Sequence, residues 1–123
     1  MTVHLLRWMK MSINRKRVGE VWLAHEGTKE RPVLVLSGGI VKFEIDVIVA
    51  RVTGQTSRNK FDIPLTYWKE AGLKKPSVVR CSKINTIQHD ELFLKLGELH
   101  PDDLKKVEDT VRSLLFKDFS SEI

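Results

Sequence analysis

The apolar residues of this chain form short runs separated by polar turns, and only the last segment has helical spacing. The run at 31–37 is almost continuously apolar and has the length of one strand, which predicts a strand buried on both faces. Five to seven short strands with Gly and Pro between them predict a small antiparallel barrel, closed or half-open. The predicted strands are 19–25, 31–37, 47–53, 60–65, 77–82 continuing through 84–87, and 92–99.

The C-terminal segment predicts the one long helix of the chain. Pro101 suits the first helical position, and the two aspartates after it favour the positive end of the helix dipole. An amphipathic stripe follows, which predicts a helix to about Lys117. Its apolar members are Leu104, Val107, Val111, Leu114 and Leu115. Because this helix follows the strands and does not alternate with them, the fold class is α+β, with a single helical turn expected at 66–71 before Gly72.

The length and the cysteine content of the chain limit the classes of protein to which it can belong. A chain of 123 residues suits one domain. Cys81 is the only cysteine, which excludes an internal disulfide and a zinc site built on several thiolates, and suits the reducing cytoplasm. No apolar run has the roughly 18 residues that a membrane helix needs. The histidines lack partners at ligand spacing, so we expect neither a metal nor another cofactor.

The formal net charge of +5 is unevenly distributed. Residues 1–17 hold five basic side chains and no acid, whereas 18–89 carry 11 basic and 7 acidic groups and 90–123 carry 5 and 9. We therefore interpret 1–17 as a basic tail, either disordered or containing the true translation start at Met9 or Met11, and 18–123 as a single domain. The excess of positive charge over the predicted strands indicates a nucleic-acid-facing side, with the terminal helix away from it.

Five blocks of sequence, in order, resemble a known family. They are Gly-Glu-Val-Trp-Leu (19–23), Arg-Pro-Val-Leu-Val-Leu-Ser (31–37), Val-Ile-Val-Ala-Arg-Val-Thr (47–53), Lys-Pro-Ser-Val-Val-Arg-Cys (75–81) and Ile-Asn-Thr-Ile (84–87). Together they resemble the MazF/PemK-type toxins of type II toxin–antitoxin systems. The resemblance implies an SH3-like barrel, a homodimer, a cognate antitoxin and metal-independent cleavage of single-stranded RNA in the cytoplasm.

The resemblance also implies three catalytic residues. Arg31 and Arg80 match family arginines, whose planar guanidinium groups suit phosphate and its developing negative charge. Thr53 matches the threonine after the central strand, where its hydroxyl would contact the scissile phosphate. Taken without the resemblance, Arg31 fits a surface ion pair with Glu26 or Glu30 equally well. Ser82 stands where the family has a proton-transferring acid, so the general base is left unassigned.

Other polar residues are weaker candidates. We expect RNA contacts from a polar loop, a lysine pair and one serine, namely Gln55, Thr56, Ser57, Arg58, Lys74, Lys75 and Ser82. His25 is a possible general base because the unperturbed pKa of histidine as a residue type suits that role, although a surface histidine without a role fits better. Two alternatives to an enzyme remain open: a module of the same fold that binds RNA or an antitoxin without cleavage, and a small barrel that binds other proteins.

Overall fold

A computed structural model describes residues 16–37 and 46–121. This part of the chain contains six strands and a C-terminal α-helix. The strands are β1 (Glu20–Glu26), β2 (Lys29–Val35), β3 (Asp46–Thr53), β4 (Asp62–Pro64), β5 (Val78–Gln88) and β6 (Leu92–Glu98), and the helix α1 spans Pro101–Ser121. A single 3₁₀ turn, His89–Glu91, connects β5 to β6.

The strands form one antiparallel sheet in the order β4-β5-β3-β2-β1-β6. The α+β class and the helix start at Pro101 are confirmed. In the described residues the sheet is open, with β4 at one edge and β6 at the other. Val33, Leu34 and Val35 are buried in succession, as predicted for a strand covered on both faces.

Strand alternation gives the sheet a first and a second face. On the first face Val21, Leu34 and Ala50 are paired neighbours and lie in the main core, against which Leu104 and Val107 of α1 pack. On the second face a smaller apolar cluster is packed against Trp22. Its buried members are Ala24, Val33, Val35, Val47, Val49, Ile87 and Leu92. The helix therefore covers the first face and leaves the polar part of the second face accessible.

The element boundaries differ from the prediction in three places. The strand expected over 60–65 is limited to β4, because Asn59 accepts the backbone N–H groups of Phe61 and Asp62 in a turn. The segments 77–82 and 84–87 are one strand, β5, with an irregularity opposite Ala50 and Arg51. The helix α1 continues to Ser121 instead of ending near residue 117.

The segment after β4 is a hydrogen-bonded turn that ends at Gly72. Leu73 N–H donates to the Trp68 carbonyl (3.1 Å) and Gly72 N–H to the Lys69 carbonyl (3.0 Å), which is the Schellman pattern. Gly72 has a φ of 83°, a conformation that glycine adopts without strain. The predicted helical turn before Gly72 is thus present as a closed turn.

Two residues assigned to the N-terminal tail belong to the folded part. Lys16 is buried, and its ammonium lies 4.6 Å from the centroid of the Trp22 ring. Burial lowers the pKa of Lys16. Arg17 N–H donates to Glu20 Oε1 (2.8 Å). The rest of the predicted tail, residues 1–15, lies outside the described residues. The helix found between 16 and 121 is too polar to cross a membrane.

Candidate active site

The three predicted catalytic residues share the second face of the sheet. Val33 on β2 pairs with Arg51 on β3, and Arg51 pairs with Arg80 on β5. Two residues further along β3 lies Thr53, and the same antiparallel register continued from Val33 places Arg31 beside it. Because alternate residues of a strand share a face, these side chains form one polar patch at the end of the small apolar cluster.

Glu26, at the end of β1, joins two of the arginines. Its Oε2 lies 2.9 Å from Arg31 Nε, and both of its carboxylate oxygens accept hydrogen bonds from Arg51 Nη2, at 2.9 and 2.8 Å. About a third of each of these three side chains is exposed, so the group is open to solvent. We call Glu26, Arg31, Arg51, Thr53 and Arg80 the arginine patch. The ion pair of Arg31 with Glu26 anticipated from sequence is present.

Arg80 differs from the other two arginines because it is buried, with 5% of its surface exposed. Its Nη1 lies 3.3 Å from Asp62 Oδ2, and its Nη2 donates to Gln55 Oε1 at 2.6 Å. Asp62 is itself 2% exposed and lies opposite Arg80 in the ladder between β4 and β5. The alternation predicted for β5 is correct at Cys81, which lies in the main core.

The polar loop 54–61 is organised against this buried pair. Arg58 donates to Asp62 Oδ2 twice, from its backbone N–H (2.9 Å) and from Nε (3.1 Å). Ser57 Oγ donates to the carbonyl of Asp62 (3.0 Å). Gln55, Thr56, Ser57 and Arg58 are all exposed. The loop thus presents the predicted RNA-binding side chains beside the arginine patch.

Lys75 reaches the patch across Gly54. A Cβ atom added at Gly54 would collide with the Lys75 side chain, so that side chain crosses the backbone next to Thr53. Thr53 Oγ1 accepts the backbone N–H of Gln55 at 3.3 Å. Lys74 is exposed. Of the predicted lysine pair, Lys75 is therefore placed next to Thr53.

The irregularity in β5 shapes a cleft next to the patch. Ala50 pairs with Ile84 and Arg51 with Arg80, so β5 has three extra residues, among them the exposed Ser82, at this point. Such bulges bend a strand and redirect its side chains. The cleft has a volume of about 250 Å³. It is lined by the apolar side chains of Val33, Val49, Ile84 and Ile87 and by the polar ones of Glu26, Arg51, Lys83 and Asn85.

His25 is not brought to the arginine patch. It precedes Glu26 on β1, so alternation directs it to the opposite face. The exposed imidazole stacks on Phe93 of β6, with ring centroids 4.2 Å apart. Sequence reasoning missed Asp62 altogether and anticipated Glu26 only as an ion-pair partner of Arg31, not as a functional residue of the site. The even spacing of Glu26 from Trp22 and Ala24 could have placed it on the second face. The position of Asp62 depends on the long-range pairing of β4 with β5, which has no local signal.

Potential metal ligands do not group within residues 16–37 and 46–121: no three His, Cys, Asp or Glu side chains come together there. Burial, with a smaller effect of the Asp62 charge, raises the pKa of the Cys81 thiol to about 11. A thiol with this pKa is protonated near neutral pH and is a poor nucleophile or ligand. The polar groups that the site brings together are those of arginine, carboxylate and hydroxyl side chains.

A family model described as PemK-like, MazF-like toxin of type II toxin–antitoxin systems matches residues 14–115. No curated protein sequence matches the chain significantly.

Among solved structures, the chain is similar to the Mycobacterium tuberculosis toxin MazF-mt6, with 26% identity and a TM-score of 0.67 over 76% of this chain and 93% of that one. A mycobacterial endoribonuclease in complex with its cognate antitoxin is 22% identical, with a TM-score of 0.69 over 81% and 94%. A MazE–MazF structure from Deinococcus radiodurans is 21% identical, with a TM-score of 0.70 over 82% and 95%.

Proposed function

Because the chain belongs to the PemK-like, MazF-like toxins of type II toxin–antitoxin systems, we propose that it is an endoribonuclease that cleaves single-stranded RNA. The observation that carries the proposal is the arginine patch, where three guanidinium groups, one carboxylate and one hydroxyl share one face of the sheet. Several fixed cations beside an accessible carboxylate suit the cleavage of a phosphodiester bond.

In the proposed reaction the ribose 2′-OH attacks the adjacent phosphorus. A bond forms between the 2′ oxygen and phosphorus, the bond from phosphorus to the 5′ oxygen breaks, and the products are a 2′,3′-cyclic phosphate and a 5′-hydroxyl. Arg31, with Arg80 at the buried end of the patch, would stabilise the negative charge on the phosphorane oxygens. Thr53, beside Arg31 in the register, would donate its hydroxyl hydrogen bond to a phosphate oxygen.

Glu26 is the proposed general base. The family's acid position is Ser82 here, and a serine hydroxyl cannot accept a proton near neutral pH. Glu26 is a carboxylate between Arg31 and Arg51, and it is accessible. It would take the proton of the 2′-OH, and an arginine of the patch would stabilise the leaving 5′ oxygen until a water molecule protonates it to the 5′-hydroxyl. His25 is a poorer candidate because of its place on the other face.

The surroundings of the patch suit an RNA strand on both sides of the scissile phosphate. On one side the exposed loop of Gln55, Thr56, Ser57 and Arg58, together with Lys75, offers phosphate contacts. On the other side, the cleft has an apolar floor for a nucleobase and an amide, that of Asn85, for its polar edge. Its volume is below the roughly 300 Å³ of pockets for drug-sized ligands, which suits one base.

The proposal extends to partners and location. As a toxin of this family the chain would form a homodimer and would be inhibited by a cognate antitoxin, and mRNA as the substrate would place its action in the cytoplasm. Co-expression with a small acidic protein, sought in the reading frame next to this one, tests the antitoxin: growth arrest on induction of the toxin alone, relieved by that neighbour, is the expected result.

A cleavage assay with purified protein tests the activity. The probe is a mixed-sequence single-stranded RNA in EDTA, with product ends identified as cyclic phosphate and 5′-hydroxyl. Arg31→Ala is expected to lower the cleavage rate about 100- to 1,000-fold, the cost of losing one charge-stabilising donor. Arg112→Ala is the matched control, since this exposed arginine lies on α1, which packs on the opposite face.

One observation favours a second candidate, a module that binds RNA without cleaving it. Arg80 is buried and already held by Asp62 and Gln55, so fewer of its N–H groups are left for a phosphate. The same assay separates the two functions. RNA that stays intact while it is fully bound would reject the endoribonuclease and support the binding module.

A further inference from the structure

Asp62 has contacts that exceed those of an ordinary surface acid. Its carboxylate is 2% exposed, and one oxygen, Oδ2, contacts three donors: the backbone N–H of Arg58, Arg58 Nε and Arg80 Nη1, at 2.9, 3.1 and 3.3 Å. The other oxygen, Oδ1, is buried without a hydrogen-bond partner among the described residues. The hydrogen bonds of this carboxylate are thus concentrated on one oxygen.

This arrangement is poorly suited to stability alone. A buried carboxylate oxygen without a donor loses its hydration without replacement, and a buried ion pair often stabilises a fold no better than apolar residues of the same size. Arg58 is about half exposed, so its own attraction to Asp62 is weakened by water. The contacts of Asp62 instead fix the orientation of the Arg80 guanidinium group.

Arg80 is held by hydrogen bonds from both terminal nitrogens of its guanidinium group. Asp62 accepts from Nη1 and Gln55 accepts from Nη2. These contacts use two of the five N–H groups of the guanidinium and fix its plane, which leaves three N–H groups that can donate to a phosphate. The same carboxylate also holds the loop through Arg58, and Ser57 donates to the Asp62 carbonyl. One residue therefore couples Arg80 to the polar loop.

We propose that Asp62 is a positioning residue: it orients the guanidinium of Arg80 and fixes the loop 54–61 relative to it. The inference rests on the proposed endoribonuclease function, in which Arg80 stabilises charge on the phosphate. Asp62 itself does not touch the RNA. Removal of its carboxylate would leave substrate binding largely intact and would move Arg80 away from the phosphorane, which lowers the rate constant of cleavage and leaves KM almost unchanged.

The test is a double-mutant cycle measured by single-turnover cleavage of a defined RNA. Asp62→Asn keeps the shape and removes the charge. It is expected to lower the rate constant about 10- to 100-fold, with KM within about threefold of wild type. In the Arg80→Gln background the same substitution is expected to change the rate less than about twofold, because the residue it orients is gone. A merely structural role would give the same reduction in both backgrounds.

Cys81 supplies the folding control. It is buried and has a raised pKa, so it is expected to stay unmodified by iodoacetamide in every folded variant. If Asp62→Asn exposes this thiol, Asp62→Glu replaces it in the cycle. That variant keeps the negative charge and moves it by one methylene group. We expect it to lower the cleavage rate several-fold in the protein that retains Arg80, and not in the Arg80→Gln variant.

The outcomes are distinguishable. A wild-type protein that does not cleave RNA overturns the proposed function and this inference with it. A wild-type protein that cleaves, combined with a folded Asp62→Asn variant at the wild-type rate, overturns the positioning role alone. An equal rate reduction with Arg80 and with Gln at position 80 also overturns it.

Discussion

At the scale of single residues, Glu26 is the group on which the proposed chemistry most depends. We expect Glu26→Gln to lower the rate constant of cleavage by about 100- to 10,000-fold, the usual contribution of a general base. The acidic limb of the pH–rate profile should disappear with it, because an amide does not titrate. Glu30→Gln, a change at an exposed position on the neighbouring strand, is the control and should leave the rate and the profile unaltered.

An unchanged acidic limb in a folded Glu26→Gln protein would contradict this role. A slower rate with the limb retained would mean that Glu26 serves only to hold Arg31 and Arg51 through its ion pairs. The pH profile therefore separates proton transfer from the alignment of the arginines.

Glu20 predicts a pH dependence of stability. Burial opposes its charge, but hydrogen bonds from Lys95, the Arg17 N–H and Trp22 outweigh this and lower the pKa of Glu20 below its ordinary 4.5. The group therefore stabilises the fold fully above pH 4.5, and this contribution is lost as the pH falls through the lower folded pKa. Urea unfolding of Glu20→Gln should show a deficit at pH 7 that shrinks below pH 4.5. A deficit independent of pH would contradict this assignment.

The placement of the proposed catalytic trio on one face could be predicted from sequence because it depends on local information. Arg31, Thr53 and Arg80 each lie in a recognisable strand block, and strand alternation then fixes the face. The burial of Arg80 could not be predicted in this way. It results from the pairing of Asp62 with Arg80 across β4 and β5, between residues that are 18 positions apart.

At the scale of elements, the start of α1 is attached to the turn after β4. Asp103 is fully buried, and its two oxygens accept the backbone N–H groups of Thr66 (3.1 Å) and Tyr67 (2.9 Å). Sequence reasoning assigned this aspartate to the helix dipole, because nothing in the local pattern reveals a partner 36 residues away. The stripe and Pro101 predicted the helix start correctly, since both signals are local.

Asp103→Ala is expected to lower the free energy of unfolding by about 2–4 kcal/mol, because two backbone N–H groups lose their charged, buried acceptor. Asp102→Ala is the matched control: this neighbour is exposed and its interaction with the helix dipole is worth about 0.3–1 kcal/mol. Chemical denaturation of both variants provides the measurement. Equal destabilisation at the two positions would show that the contact with the turn contributes nothing beyond the dipole.

At the scale of the whole molecule, positive charge and the helix lie on different faces. The arginine patch and Lys75 belong to the second face, whereas α1 covers the first. The charge division along the sequence indicated this separation. The sequence could not show that part of this positive charge is neutralised by ion pairs within the fold. Glu26 pairs with Arg51, and Asp62 pairs with Arg80.

This division predicts how salt affects RNA binding. For a single strand, removal of one cation that neutralises a phosphate is expected to reduce the slope of log affinity against log salt by about 0.7. Lys75→Ala should therefore lower the slope by about that amount, whereas Lys106→Ala, an exposed position on α1, should not. Titration of a fluorescent RNA at several salt concentrations measures both. Equal slopes for wild type and Lys75→Ala would place this lysine outside the RNA path.

The two edges of the sheet differ in a way that bears on solubility. At one edge β4 has only three residues and ends in Pro64, so it offers little backbone for another strand to join. At the other edge β6 has seven residues, and Phe93 and Leu94 on it are 41% and 49% exposed. Aggregation of an isolated chain would therefore begin at β6. A charged residue in place of Leu94, which is not a member of the arginine patch, would protect a concentrated preparation.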